Sequence, residues 1–294
     1  MFHEIYPKIF DPEYLNKQPL PDSHLLFFDK SYVFLQKTDA EYHSENACTD
    51  LPENGLSIPK FKYFGENIDR LTQNSYYLFS IDDDDYFLAL NFDSDKGDSL
   101  QLTGEKIDIF RKLSPKSTAF AVLVGYHIYT WLQNRKYCGR CGSVNLRSDT
   151  ERALICPRCS QIEYPRIIPA VIVAITDKDN ILLTKRANSS YKLPALVSGF
   201  LEIGETLEEN VKREVFEEVG IRVKNVKYYG SQPWGIAEAV MIAFTAELDG
   251  DNKITIEENE LSEAAWVKRQ NVPILNSDIS IGQEMIQKFR EGKL

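Results

Sequence analysis

Two groups of side chains have the types and spacing that chemistry requires. The first is Cys138-Gly139-Arg140-Cys141 with Cys156-Pro157-Arg158-Cys159, a C-x2-C-x14-C-x2-C pattern. Each pair sits on a tight turn that aims two thiolates at one point, and two such turns supply the tetrahedral sulfur shell that Zn2+ prefers. Zinc lowers thiol pKa values, so all four cysteines would be thiolates. The alternatives are a pair of redox C-x2-C motifs or a site without metal. Four cysteines close the shell, so the expected zinc is structural rather than catalytic. A zinc ribbon follows, with a hairpin over Asn145 to Leu154 between the knuckles. Ribbons also bind nucleic acid, and Arg140, Arg147, Arg152 and Arg158 leave that open here. Cys48 stands alone and reads as a structural or free thiol.

The second group is Glu214, Glu217 and Glu218, within a run from Gly199 to Ile221. Thr206 and Glu209 form a capping box, which predicts a helix starting there, and Gly220 is placed to end it in the left-handed conformation. Leu207, Val211, Val215 and Val219 recur every four positions and form the stripe to be buried. The three glutamates fall at i, i+3 and i+4, so their carboxylates share the flanking face, where Arg213 can pair with Glu217. Three carboxylates on one face repel unless a cation sits among them, and hard ions such as Mg2+ or Mn2+ take oxygen ligands and bridge to substrate phosphates. By itself the cluster also fits an ordinary Glu-rich solvated face.

The whole run separates these readings. It resembles the box of the Nudix hydrolases, G-x5-E-x7-R-E-U-x-E-E-x-G-U with U aliphatic. Gly199, Glu205, Arg213, Glu214, Val215, Glu217, Glu218, Gly220 and Ile221 occupy every fixed position. At average residue usage the seven invariant residues coincide by chance at on the order of 10⁻⁸ per start site. The resemblance covers roughly Arg166 to Leu294 and implies an α/β/α sandwich with a mixed sheet. It also implies hydrolysis of a nucleoside diphosphate linked to another moiety. Glu214, Glu217 and Glu218 would bind the divalent ions, with the Gly199 carbonyl as a further ligand and Glu205 and Arg213 as supports.

A four-Cys ribbon directly before such a domain resembles the NADH pyrophosphatase branch. Tyr164-Pro165-Arg166 and Ser231-Gln232-Pro233-Trp234 extend the likeness. That branch continues S-Q-P-W with P-F-P-x-S, whereas this chain has Gly235, Ile236, Ala237, Glu238 and Ala239. Two prolines, an aromatic face and a hydroxyl are lost; a hydroxyl that bonds a substrate amide is worth ~1–3 kcal/mol of discrimination. Ser280-Ile281-Gly282 stands where the branch has S-I-A. The branch implies that Phe200, Tyr164, Gln232 and Trp234 contact substrate and that Glu260 meets metal or the attacking water. It also implies a homodimer with sites built from both chains. The expected reaction is cleavage of the pyrophosphate of NADH or NAD+ to AMP and nicotinamide mononucleotide. The altered loop leaves open ADP-ribose, dinucleoside polyphosphates or NAD-capped RNA, the last being the one way RNA enters as a partner. A non-catalytic nucleotide or nucleic-acid-binding regulator is the remaining alternative, and it predicts a degenerate box, which this is not.

The rest of the chain must position these groups. With 34 basic and 44 acidic residues the net charge is −10, the wrong sign for wrapping nucleic acid non-specifically. Composition, at 43% hydrophobic and 27% charged, excludes a disordered, collagen-like or coiled-coil chain. The start carries no basic region followed by an apolar core, and apolar stretches such as Ala119 to Leu132 fall short of the ~20 residues a span needs. A cytoplasmic, reducing location with no membrane partner is expected.

Three segments are expected: residues 1–132 as a mixed α+β domain without assigned chemistry, 133–165 as the ribbon, and 166–294 as the Nudix domain. Within the first, Leu25 to Phe28 and Tyr32 to Leu35 read as strands. Tyr76 to Ile81 and Tyr86 to Phe92 read as a hairpin around the acidic run Asp82 to Asp85, taken as a solvated turn. Thr118 to Gln133 reads as a helix. In the last segment the pattern predicts strands at Val171 to Ile175, Ile181 to Thr184 and Val240 to Leu248, a turn at Asp177 to Asn180, and a helix near Ile281 to Phe289.

Overall fold

The computed structural model describes residues 1–37, 55–93, 97, 100–187, 193–275 and 279–294. Cys48 lies outside them. The chain forms two compact units: Phe2–Arg166 with Gly235–Glu238, and Ile167–Trp234 with Ala239–Leu294 and Met1.

The first unit is built on Phe10–Asp11 (β1), His24–Asp29 (β2), Tyr32–Lys37 (β3), Leu56–Ser57 (β4), Ser75–Ile81 (β5), Asp84–Ala89 (β6) and Leu102–Lys106 (β7), with the short helix Ile68–Gln73 (α1). Their order is β1-β5-β6-β2-β3-β4, and β7 also pairs with β3. The expected hairpin is β5–β6, but Asp84 and Asp85 belong to the strand, paired with Ile81 and Ser80, so the turn is only Asp82 and Asp83. The acidic run is held by structure: Asp82 accepts from the Ile9 amide at 2.8 Å and Asp85 from Lys17 at 2.7 Å.

Lys116–Asn134 (α2) covers this sheet and is apolar almost all round, with Ala121, Val122, Leu123 and Trp131 at 1% exposure or less. Gly125 lets it approach closely, since a Cβ there would stand 2.5 Å from Leu26. The ribbon strands Leu146–Arg147 (β8), Leu154–Ile155 (β9) and Ile162–Glu163 (β10) follow, antiparallel in the order β10-β9-β8.

The second unit has a sheet of Ile168–Asp177 (β11), Asn180–Arg186 (β12), Val197–Phe200 (β13), Val223–Trp234 (β14), Ala239–Leu248 (β15) and Leu261–Lys268 (β16), ordered β14-β15-β11-β12-β16 with β13 beside β11. β11 and β15 run parallel and the other pairs antiparallel, so the sheet is mixed. Strand alternation sends Val171, Val173 and Ile175 to one face, against Leu207–Val219 (α3), and Ile172 and Ala174 to the other, against Ile281–Arg290 (α4). A strand covered on both faces is apolar throughout, which is why β11 is so legible in the sequence. This is the expected α/β/α sandwich. β13, β14 and β16 are additional strands that the pattern does not reveal. β14 runs along the sheet edge through two register shifts, so its Lys, Tyr, Gly and Pro residues never settle into clean alternation.

Candidate active site

Helix α3 starts as its capping box dictates. The Thr206 hydroxyl accepts from the Glu209 amide at 3.2 Å, and the Glu209 carboxylate accepts from the Thr206 amide at 2.8 Å. Gly220 ends it at φ 72°. Val211, Val215 and Val219 are fully buried, which fixes the helix's rotation about its axis and presents the glutamates at the rim of the sheet. The three share a flank at unequal depth: Glu214 and Glu218 are buried, whereas the Glu217 side chain is 57% exposed.

Arg213 organises the flank. Its Nε donates to Glu205 at 2.5 Å, Nη1 to Glu214 at 2.8 Å and Glu217 at 2.9 Å, and Nη2 to Glu205 at 2.9 Å and the Phe200 carbonyl at 3.1 Å. All five guanidinium donors are thereby used. The bonds to Arg213 hold the Glu205 carboxyl down at about 2. Asn210, fully buried one turn earlier, donates to the same Phe200 carbonyl at 2.8 Å and to Glu205 at 3.3 Å. Sequence reasoning passed over Asn210; an amide in a helix interior beside the stripe was the available signal.

Gly199 lies against Glu214 so closely that a Cβ there would overlap the carboxylate. Burial, opposed by Arg213, raises the Glu214 pKa. Glu218 is pushed up to about 7, by burial first and then by the charges of Glu214 and Glu260. Glu260, on the exposed turn entering β16, therefore joins the cluster; its backbone is tied to Ala187 and Glu257. A desolvated, mutually repelling carboxylate set beside a side-chain-free backbone is a donor set that suits a hard divalent cation.

The aromatic candidates divide. Phe200 is 51% exposed at the end of β13. Trp234 ends β14, paired with Ala239, which pairs with Ile168, while Phe200 pairs with Ala170. Both rings thus stand at one end of the sheet, three strand spacings or ~14 Å apart. Tyr164 belongs to the other unit, exposed, its hydroxyl donating to Glu151 at 3.4 Å. Gln232 requires a correction. It is fully buried, its amide nitrogen bonded to the Ile279 carbonyl and its oxygen to the Ile281 amide, both at 2.8 Å, so it anchors the start of α4 and presents nothing to a substrate.

The variant loop begins with a turn at Gly235–Ala237. Gly235 is buried, and a Cβ there would overlap the Leu123 carbonyl of α2. Glycine is what the close approach to the helix requires.

In the ribbon the four Sγ atoms lie within 4.8 Å of one another, with Cys138–Cys159 at 3.6 Å and Cys141–Cys156 at 3.3 Å. Four sulfurs about 2.3 Å from a central ion are ~3.8 Å apart, so the set fits Zn2+ with little adjustment. The knuckles are built alike: the Cys138 amide donates to Ser143 and Gly142 to Cys138, while Cys156 donates to Gln161 and Ser160 to Cys156. Gly142 and Ser160 take the same left-handed position, at φ 72° and 57°. Two of the arginines considered for nucleic acid are otherwise engaged. Arg152 donates to the carbonyls of Leu78 at 2.5 Å and Pro12 at 3.0 Å, and Arg147 lies over the Tyr76 ring at 5.2 Å. They fasten the ribbon to the aromatic-rich sheet.

Fold and site define a class. Residues 166–289 match the NUDIX domain, so this part of the chain is a Nudix domain. Residues 133–164, directly before it, match the NADH pyrophosphatase zinc ribbon domain. It is 40% identical over 163 residues to proteins named NAD-capped RNA hydrolase NudC in Escherichia coli O1:K1 / APEC and Shigella dysenteriae serotype 1 (strain Sd197). Each match covers 55% of this chain and 63% of the relative, so the chain spans less than two thirds of their length. A solved NUDIX hydrolase from Nitrosomonas europaea is 24% identical, with a TM-score of 0.47, covering 54% of this chain and 92% of that one. No helix among the described residues is long and apolar enough to cross a membrane.

Proposed function

We propose that the protein is a divalent-metal-dependent hydrolase that cleaves the pyrophosphate of NADH or NAD+ to AMP and nicotinamide mononucleotide. The observation that carries this reading is the pair of buried carboxylates, Glu214 and Glu218, the first of them set beside Gly199 and braced by Arg213. Glu214, Glu217, Glu218 and the Gly199 carbonyl would hold Mg2+ or Mn2+, which when bound neutralises the diphosphate and acidifies a water. Glu218 or Glu260 takes the proton of the attacking water. The water oxygen bonds to phosphorus as the bridging P–O bond breaks, and the bridging oxygen leaves with the second phosphate. Glu205 and Arg213 keep the carboxylates in place. Phe200, Trp234 and Tyr164 are the rings available for stacking on a base or nicotinamide. Zn2+ on Cys138, Cys141, Cys156 and Cys159 is structural; the active form is a homodimer in the cytoplasm.

A second reading, NAD-capped RNA as substrate, is favoured by the activity in the names of the relatives. Incubation with Mg2+ or Mn2+ and NADH, NAD+, ADP-ribose or NAD-capped RNA, with products resolved by chromatography, tests both. AMP plus the reduced mononucleotide, with NADH fastest, supports the first. Capped RNA turned over faster than free NAD+ supports the second. AMP from ADP-ribose alone refutes both and assigns the changed loop a different substrate. Light scattering under the same conditions gives the oligomeric state.

A further inference from the structure

On the side of α3 away from the glutamates lies a cleft of about 370 Å³, lined by Lys212, Phe216, Arg222, Val223 and Asp249. Phe216 is two residues from both Glu214 and Glu218, so its ring points to the opposite side of the helix from them. It is 56% exposed. Tyr228 on β14 is 63% exposed, and its ring meets Phe244, 6.2 Å away, in the core cluster beneath α3, so it stands on the same face of the sheet. Neither Lys212 nor Arg222 makes an ion pair or side-chain hydrogen bond among the described residues. The one acid lining the cleft, Asp249, is engaged by Lys224 at 3.2 Å. On a chain of net charge −10, Lys212 and Arg222 flank the exposed Phe216 ring and outnumber the one acid lining the cleft, with Glu209 the acid within electrostatic reach of Lys212.

This combination has a chemical meaning. A ring with free faces offers a platform for a flat heterocycle, and neighbouring cations offer partners for the phosphates that join successive bases. A duplex would hide the base faces, so the match is to an unpaired strand. We infer that the cleft binds a single-stranded polynucleotide, with phosphates at Lys212 and Arg222 and a base on Phe216. The helix that carries the metal-site carboxylates thereby also holds the chain behind a capped 5′ end. This deepens the capped-RNA reading above and rests on it only for what the bound strand is attached to.

The experiment is fluorescence anisotropy of the full chain with a labelled single-stranded RNA 12-mer ending in a 5′ hydroxyl, without added Mg2+ or Mn2+. It is repeated with the duplex and with AMP as competitor. The single strand should bind better than the duplex, and AMP should compete only weakly. Lys212→Glu with Arg222→Glu should weaken binding at least tenfold and flatten its salt dependence by about 0.7 in log–log slope per lost phosphate contact. Phe216→Ala should weaken it about fivefold or more. With these variants kcat/KM should fall for NAD-capped RNA and stay within twofold for NADH.

Variants that bind the strand like the parent protein would overturn the inference. So would equal binding of duplex and strand, or a cleft that AMP fills as tightly as RNA, which would make it a mononucleotide site. If the protein hydrolyses no capped RNA yet the binding differences hold, the substrate reading fails and the cleft stands.

Discussion

The α-carbon of Gly199 lies so close to the carboxylate of Glu214 that no side chain fits between them. The glycine keeps strand β13 in contact with helix α3 and leaves the Gly199 backbone beside the cluster. Gly199→Ala should displace Glu214 or push the strand outward. We expect the Mn2+ concentration for half-maximal activity to rise at least tenfold, with kcat down by ~10²-fold, as a misplaced reacting group implies. A metal titration of initial rates measures both, and unchanged metal dependence would rule out a role for this contact in binding the ion.

Glu218 gives a pH signature. Its ordinary carboxyl pKa is 4.5, and in the folded chain it is about 7. Between these values the native state keeps a proton that the unfolded state has released. Metal-free protein therefore loses stability as pH rises from about 4.5 to about 7, by on the order of 3 kcal/mol from this group. Glu218→Gln removes that cost. The metal-free variant should melt several degrees above the parent protein at pH 8 and match it at pH 4.5, while kcat falls ~10²–10⁴-fold. Calorimetric scans at the two pH values check the stability, and steady-state rates check the chemistry.

Arg213→Lys keeps one positive charge and loses the fork. An ammonium offers three donors from one atom and cannot reach Glu205, Glu214, Glu217 and the Phe200 carbonyl together. We expect kcat/KM to drop ~10–10³-fold and the Glu205 carboxyl to move up from about 2 toward 4.5. Carboxyl-selective NMR titration reads the second effect directly, and a Glu205 resonance that still titrates near its parent value would count against the clamp.

The twin knuckles make unequal demands on their fifth residues. Ser160 holds at φ 57° a conformation that Gly142 adopts at φ 72° without a Cβ. Ser160→Gly should be neutral or stabilising by up to ~1 kcal/mol, and Gly142→Val should cost more than that. One zinc per chain is expected by elemental analysis. Cys156→Ser should abolish tight binding and lower the melting temperature of the unit containing residues 2–166.

What was legible in the sequence is what local rules control. Thr206 with Glu209, the valine stripe and Gly220 mark α3 to the residue, and β11 declares itself because it is apolar on both faces. The cysteine spacing alone specifies the ribbon's sulfur shell. What escaped depends on contacts remote in sequence. β14 is an edge strand whose register slips twice, so its composition carries no period of two. Gln232 sits within a motif that implied substrate contact, yet its amide is consumed by backbone atoms 47 and 49 residues away. Asn210 carries no local signal of its role, because its partners Phe200 and Glu205 meet it only in the folded chain.

The tight seating of Gly235 on the Leu123 carbonyl also bears on how this loop can change over evolutionary time. Any larger residue at position 235, proline included, carries a Cβ that collides with the Leu123 carbonyl, a backbone atom that no side-chain change removes. The helix would have to move first, and α2 is held in the core by the buried Leu123, Tyr126 and Trp131. Change in the loop is thus constrained by a neighbour more than a hundred residues earlier in the chain, and substitutions that keep Gly235 are accommodated more readily than a side chain at that position.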